Sequence, residues 1–246
     1  MLAIAGIASL ILSFIFALGG VGSAATLVHT LHSLSFDLAA ARPIGLFVNT
    51  TSLAGASYLN IRSGIVRFTD WKVLILFSIL CAPIGTKLSF FIPETALLYG
   101  FALFFFTSGI IMIWGGKKVV TFRALTAFEQ VLIGCFSGLI AGLLGVGSGG
   151  LLIPILCYCG FQPKQIAAIT ALIVPISSIA GFASYAVLGS VDYTLLLVCG
   201  GAAMFGGYFG TQFMHSRLSQ ATVKRFLALV MFFLGAKTLL SVLDLF

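Results

Sequence analysis

A helix-breaking tetrapeptide occurs twice in this chain, each time in the middle of an apolar run: Gly20-Val21-Gly22-Ser23 and Gly145-Val146-Gly147-Ser148. Other pairs keep the same displacement or one residue more. Gly85-Thr86 returns as Gly210-Thr211, Ser52-Leu53-Ala54-Gly55 as Ser178-Ile179-Ala180-Gly181, and Gly109 as Gly235. One unit has therefore been duplicated. Paired halves whose hydrophobic segments are broken by glycine at matching places are the sequence mark of proteins that move solutes across membranes.

The surroundings of the repeat restrict the solvent. The chain is 60% hydrophobic and 8% charged, against about 25% charged in soluble domains. Its apolar runs reach the roughly 20 residues an α-helix needs to cross hydrocarbon. No alternating pattern suggests a spanning β-barrel. The runs cover roughly 2–34, 37–60, 71–92 and 95–114 in the first half and 127–159, 163–188, 193–213 and 220–243 in the second. The expected fold is an all-α polytopic membrane protein of two repeats of four hydrophobic segments. Residues 1–115 form the first repeat, 116–126 an inter-repeat loop and 127–246 the second repeat. The first run of each half is the longest and is split by the glycine motif, which suits two short helices better than one rod. Residues 1–18 lack a basic leader and belong to the repeat, so they are expected to stay.

The basic residues discriminate between two topologies. If every run crosses fully, the halves are parallel. Arg42, Lys87, Lys164, Arg217, Lys224 and Arg225 then face Arg62, Arg67, Lys72, Lys117, Lys118, Arg123 and Lys237. Six against seven assigns no orientation. If each broken run is a re-entrant helical hairpin, the halves are inverted and only Arg42, Lys87 and Lys237 leave the other ten. Ten against three satisfies the positive-inside rule, with the inter-repeat loop cytoplasmic and both termini extracytoplasmic. The inverted arrangement is the expected one. The net charge of +7 reports this orientation and not a nucleic-acid partner.

Non-helical backbone at membrane depth survives only where protein buries it or a polar cavity receives it. The two glycine tips are thus expected at the centre, approaching from opposite faces. A helix start there offers free N–H groups and a positive dipole end to an anion. Gly22 and Ser23, and Gly147, Ser148 and Gly149, are the first candidates for substrate binding, with the two serines as caps or donors. Asn49, Thr51 and Ser52 in the second segment, and Ser177 and Ser178 in its counterpart, add hydroxyl and amide donors at similar depth. Back-bonding to their own helix is the competing role for such hydroxyls. Arg42 and His29 complete the set, as an anion-attracting cation and as a donor or proton carrier. Glycines that serve only close helix packing are the plain alternative.

The string Leu144-Gly145-Val146-Gly147-Ser148-Gly149-Gly150-Leu151-Leu152-Ile153-Pro154, inside a duplicated eight-segment chain, resembles the sulfite exporter TauE/SafE family of membrane transporters over essentially the whole sequence. The first half departs from it, with Ala24-Ala25 in place of glycines and His29 where Pro154 stands. The resemblance implies a secondary transporter or facilitator, an exporter of small sulfur-containing anions such as sulfite or organosulfonates, multi-pass in the prokaryotic inner membrane. A non-sulfur carboxylate is an alternative substrate.

Asp37, Asp70, Glu94, Glu129, Asp192 and Asp244 all fall near segment ends, so a carboxylate proton relay is not expected. Neither a cofactor nor a metal is expected, and the reading is not an enzyme. The competing class is a membrane-embedded sulfur-transfer protein using Cys157 or Cys159, for which no positioned base is evident. The partners expected are a small anion and lipid. A homodimer and a lipid coat answer the exposed apolar faces equally well.

Overall fold

The computed structural model describes residues 2–34, 36, 38–88, 91, 99–100, 102–103, 105–107, 109–110, 125–144, 149–188 and 191–243. Their regular structure is entirely helical. In chain order the helices are α1 (Leu2–Ala17), α2 (Ala24–Ser33), α3 (Leu38–Arg62), α4 (Phe68–Leu88), α5 (Ala127–Leu144), α6 (Gly149–Tyr158), α7 (Pro163–Leu188), α8 (Tyr193–Arg217) and α9 (Gln220–Leu243). Described residues between 99 and 110 are helical as well. Among the described residues, three stretches are long and apolar enough to cross a membrane: Phe68–Gly85 in α4, Pro163–Ala183 in α7 and Tyr193–Arg217 in α8.

The first glycine motif ends α1 by a specific backbone device. Val21 N–H reaches back to Phe16 O and Gly20 N–H to Ala17 O, both at 3.1 Å, with Gly20 at φ 64°. These are the two bonds of a Schellman cap, and the left-handed residue it needs is a glycine. The chain leaves α1 at Ala17 and re-enters helix at Ala24, so the split expected in the first apolar run is present. In the second half α5 stops at Leu144 and α6 starts at Gly149. Gly145 to Ser148 lie outside the described residues, as does most of the expected run 95–114. Helix starts are capped where the sequence offers the residues. Asp192 accepts from Thr194 N and Leu195 N at α8, and Thr126 and Glu129 form a reciprocal box at α5.

Small residues let the helices approach closely, and their contacts give the directions. Along α1 and α8, Gly6 meets Val198, Ser9 donates to Cys199 O, Gly206 lies on the Leu10 carbonyl and Gly210 on the Phe14 carbonyl. The partners advance together, so these helices are parallel. The same holds for α4 with α5, through Gly134 on Leu74 and Gly138 on Ser78, and for α3 with α8, through Gly200 on Phe47 and Gly207 on Ser52. Helices α3 and α7 run the other way. Leu46 meets Gly181, Asn49 meets Ser178, Thr50 meets Pro175 and Ser57 meets Ala171.

The pattern exchanges the halves. The first helix of the first half packs on α8 of the second, and the first helix of the second half, α5, packs on α4 of the first. At one end of the molecule, Lys164 Nζ donates to His215 O at 3.2 Å, and His215 Nε2 lies 2.6 Å from Asn60 Oδ1. Lys164 N also donates to Gln220 Oε1. The ends of α3 and α8 and the starts of α7 and α9 are therefore gathered on one side, bringing Arg62, Lys164 and Arg217 to the same end.

Candidate functional site

The first glycine motif meets the start of α6. A methyl group placed on Gly149, the first residue of α6, would lie 3.4 Å from Gly22 N and 3.6 Å from Val21 Cα, with Val174 of α7 at 3.3 Å. The turn that closes α1 thus touches the start of α6 across the boundary between halves. Gly20 is pressed against the Ala167 carbonyl and Thr170 of α7, so any side chain there would collide with backbone. Gly22 lies directly under the Asn49 amide of α3.

Asn49 is the centre of this arrangement. It is fully buried, and its Nδ2 donates to Ser178 Oγ of α7 at 2.8 Å. Its other amide atom, Oδ1, is buried without a partner. A side-chain amide has two donors and two acceptor lone pairs, and leaving one end unused in a dry interior costs about 1–3 kcal/mol. A half-turn of the amide makes Ser178 the donor to Oδ1 and directs both Nδ2 hydrogens toward the Gly22 turn. In that orientation the unused group is a pair of donors, packed on the Gly22 turn. That is the chemistry an anion requires, supplied without a formal charge.

Ser23 occupies the N-cap position of α2, since Leu27 N–H donates to Ser23 O at 2.9 Å. Its hydroxyl shares a 3.2 Å hydrogen bond with Ser13 of α1. Both serines are buried, and together they tie the two arms of the broken helix. Sequence reasoning missed Ser13. The available signal was Ser9 and Ser13 four residues apart in an otherwise apolar helix, which puts both on one face.

The remaining candidates divide. Thr51 and Ser177 spend their hydroxyls on their own helices, donating to Val48 O at 3.1 Å and Val174 O at 2.9 Å; Ser177 is buried and Thr51 half-buried. This is the back-bonding expected as their alternative role. Ser52 is buried against α8, where Gly207 lies on its carbonyl. Gly22, Ser23, Asn49, Gly149 and Ser178 come together. His29 is on α2 and Arg42 on α3, but their side chains lie outside the described residues, as do Gly147 and Ser148 altogether.

A second feature of α7 bears on the site. Pro175 has no N–H, so the carbonyl of Ala171 one turn earlier lacks its helical donor. Ser57 Oγ of α3 supplies it, at 2.5 Å. Thr50 Oγ1 reaches Pro175 O at 3.4 Å while bonding back to Leu46 O at 3.0 Å. The helix from one half thus completes the broken ladder of the other.

Apolar helices of membrane-spanning length, with polar side chains buried between them, define an integral multi-pass membrane protein. Its family follows from direct comparison: the profile named Sulfite exporter TauE/SafE matches residues 5–238, and the chain belongs to that family. Members are membrane transporters and not enzymes, which removes the thiol-transfer alternative for Cys157 and Cys159. The chain is similar to the Probable membrane transporter protein YdhB of Bacillus subtilis, at 28% identity over 66% of this chain and 69% of the relative. It is also similar to the Probable membrane transporter protein MJ0441 of Methanocaldococcus jannaschii, at 35% over 26% of this chain and 24% of that protein. The Probable membrane transporter protein YunE of Bacillus subtilis is 27% identical over 41% of this chain and 37% of its own length. No solved structure matches the chain.

Proposed function

We propose that this protein is a secondary transporter or facilitator, exporting small sulfur-containing anions such as sulfite or organosulfonates by alternating access around the Asn49 junction. The observation that carries the reading is the Asn49 amide. It is fully buried, bonded at one end to Ser178 and unused at the other, where the Gly22 turn meets the start of α6. Its substrate would be held by amide and hydroxyl donors and two helix starts. Ser148, by its place in the second motif, would be a further donor.

The mechanism needs inverted halves that rock against one another. Two packing relations support inversion. The equivalent helices α3 and α7 are antiparallel, as an axis in the membrane plane requires. In addition, Asn60 at the end of α3 joins His215 and Lys164, whereas parallel halves would put Lys164 on the side opposite Arg62. Because α1 and α3 run the same way, a hairpin that returns between them accounts for the broken first run. The cationic end is then cytoplasmic in the inner membrane. Export of an anion from a negative interior is downhill by about 2.3 kcal/mol per charge per 100 mV, so the facilitator reading requires no coupling ion.

Efflux of sulfite, sulfoacetate and acetate from proteoliposomes tests the reading. Selective efflux of sulfur anions, lost in Asn49→Ala and reduced in Ser148→Ala, is the expected result. Efflux that both variants retain places the site elsewhere, and efflux of acetate alone replaces the substrate class with carboxylates.

A further inference from the structure

Away from the Asn49 junction, a cavity of about 380 Å³ opens among the α3–α4 turn, the starts of α4, α5 and α7, and the α6–α7 turn. Its wall includes Arg67, Asp70, Trp71, Gln130, Phe161 and Ile169. Helix α7 separates it from the central site. Ile169 lines the cavity, whereas Ala167 and Thr170 face Gly20 on the other side of the same helix.

The walls have a distinct chemistry. Trp71 and Phe161 are 8% and 7% exposed, with ring centroids 5.6 Å apart, and Ile169 is 3% exposed. These make an aromatic and aliphatic floor. Arg67 and Asp70 are both exposed at the rim. The Asp70 carboxylate accepts from Thr69 at 3.3 Å. Gln130 Nε2 donates to Asp70 O at 3.0 Å, fixing the start of α4 against α5.

We infer that this cavity is a second binding site, for an organic monoanion with a compact apolar body, on the side of the protein that the proposed topology makes cytoplasmic. The inference rests on the transporter reading for its biological sense but not for its chemistry. Size comes first: small-molecule sites occupy roughly 300–1,000 Å³, and an inorganic anion of four heavy atoms would leave most of this space to water. Charge comes second. Arg67 lines the rim, and a guanidinium is a planar fork suited to a sulfonate or carboxylate, while Asp70 on the same rim opposes a second negative charge on the ligand. The floor comes third, because aromatic side chains recover an apolar body from water. A ligand here would lie against α7 on the face opposite the Asn49 junction, so occupancy of the two sites is separable by mutation.

Calorimetric titration of the full chain in nanodiscs, with benzenesulfonate, methanesulfonate and 1,3-benzenedisulfonate as probes, tests this. Benzenesulfonate is expected to bind at least about tenfold more tightly than either of the others. Arg67→Gln should weaken it about tenfold with thermal unfolding unchanged, Arg67→Lys should recover part of the loss, and Asn49→Ala should leave it within about twofold. Asp70→Asn should narrow the gap to the disulfonate. Equal affinities for the three probes, no binding, or binding that falls in Asn49→Ala and not in Arg67→Gln would each overturn the inference. The transporter reading is judged separately, by efflux in the Asn49 and Ser148 variants.

Discussion

Helices α3 and α7 occupy equivalent places in the two halves and lie against each other in opposite directions, yet they are equipped for different tasks. Both carry the Ser-x-Ala-Gly motif, at Ser52 to Gly55 and at Ser178 to Gly181. Three residues before that serine, α3 has Asn49 and α7 has Pro175. The asparagine sets its amide on the Gly22 turn. The proline removes a backbone donor, and Ser57 of the opposite helix replaces it. At this one matched position the two helices differ: one carries a side-chain amide and the other lacks a backbone donor. The hydrogen bond that Pro175 cannot make within α7 comes from α3, so the packing of the helix that carries Asn49 satisfies the backbone of the helix that carries Ser178.

The comparison can be broken most severely at the turn that leans on α7. Gly20→Ala would force a β-carbon into left-handed backbone and against the Ala167 carbonyl. A loss of about 3 kcal/mol or more of stability is expected, read as a collapse of the thermal transition. Asn49→Ala comes next, at the position that distinguishes the two helices. It should slow efflux about tenfold or more, the equivalent of one strong hydrogen bond to a charged ligand, while the unfolding temperature moves little.

The proline side of the comparison is sharpened by a double-mutant cycle. Ser57→Ala strands the Ala171 carbonyl and should cost about 1–3 kcal/mol. In a Pro175→Ala background the helix regains its own N–H, so the cost of Ser57→Ala should shrink toward zero. Equal costs in both backgrounds would show that Ser57 does not serve the proline. The smallest effect is expected from Cys135→Ala on α5, a half-buried free thiol. Stability should change by less than about 1 kcal/mol, with efflux unchanged.

Much of the scaffold was legible in the residues themselves. The apolar run 163–188 coincides with α7 and 220–243 with α9, because a sustained apolar run of that length specifies a helix. The break after Ala17 was legible because a Schellman cap needs a left-handed residue and the motif places a glycine there. Asn49 and Ser178 stood out as polar residues in apolar surroundings. Their pairing did not, nor did the retreat of Thr51 and Ser177 into their own helices, since a hydroxyl in a helix can bond locally or across an interface with equal ease.

What the sequence by itself determined was the apolar runs, the place of the first helix break and the membership in a transporter family. Each is a property of neighbouring residues or of a motif read along the chain. Only the tertiary structure decided that Asn49 reaches Ser178, that Ser13 holds Ser23, that Ser57 completes the ladder broken by Pro175, and that α3 and α7 run in opposite directions. Those are choices among partners far apart in the chain, and they are made by which small residues allow two backbones to close together.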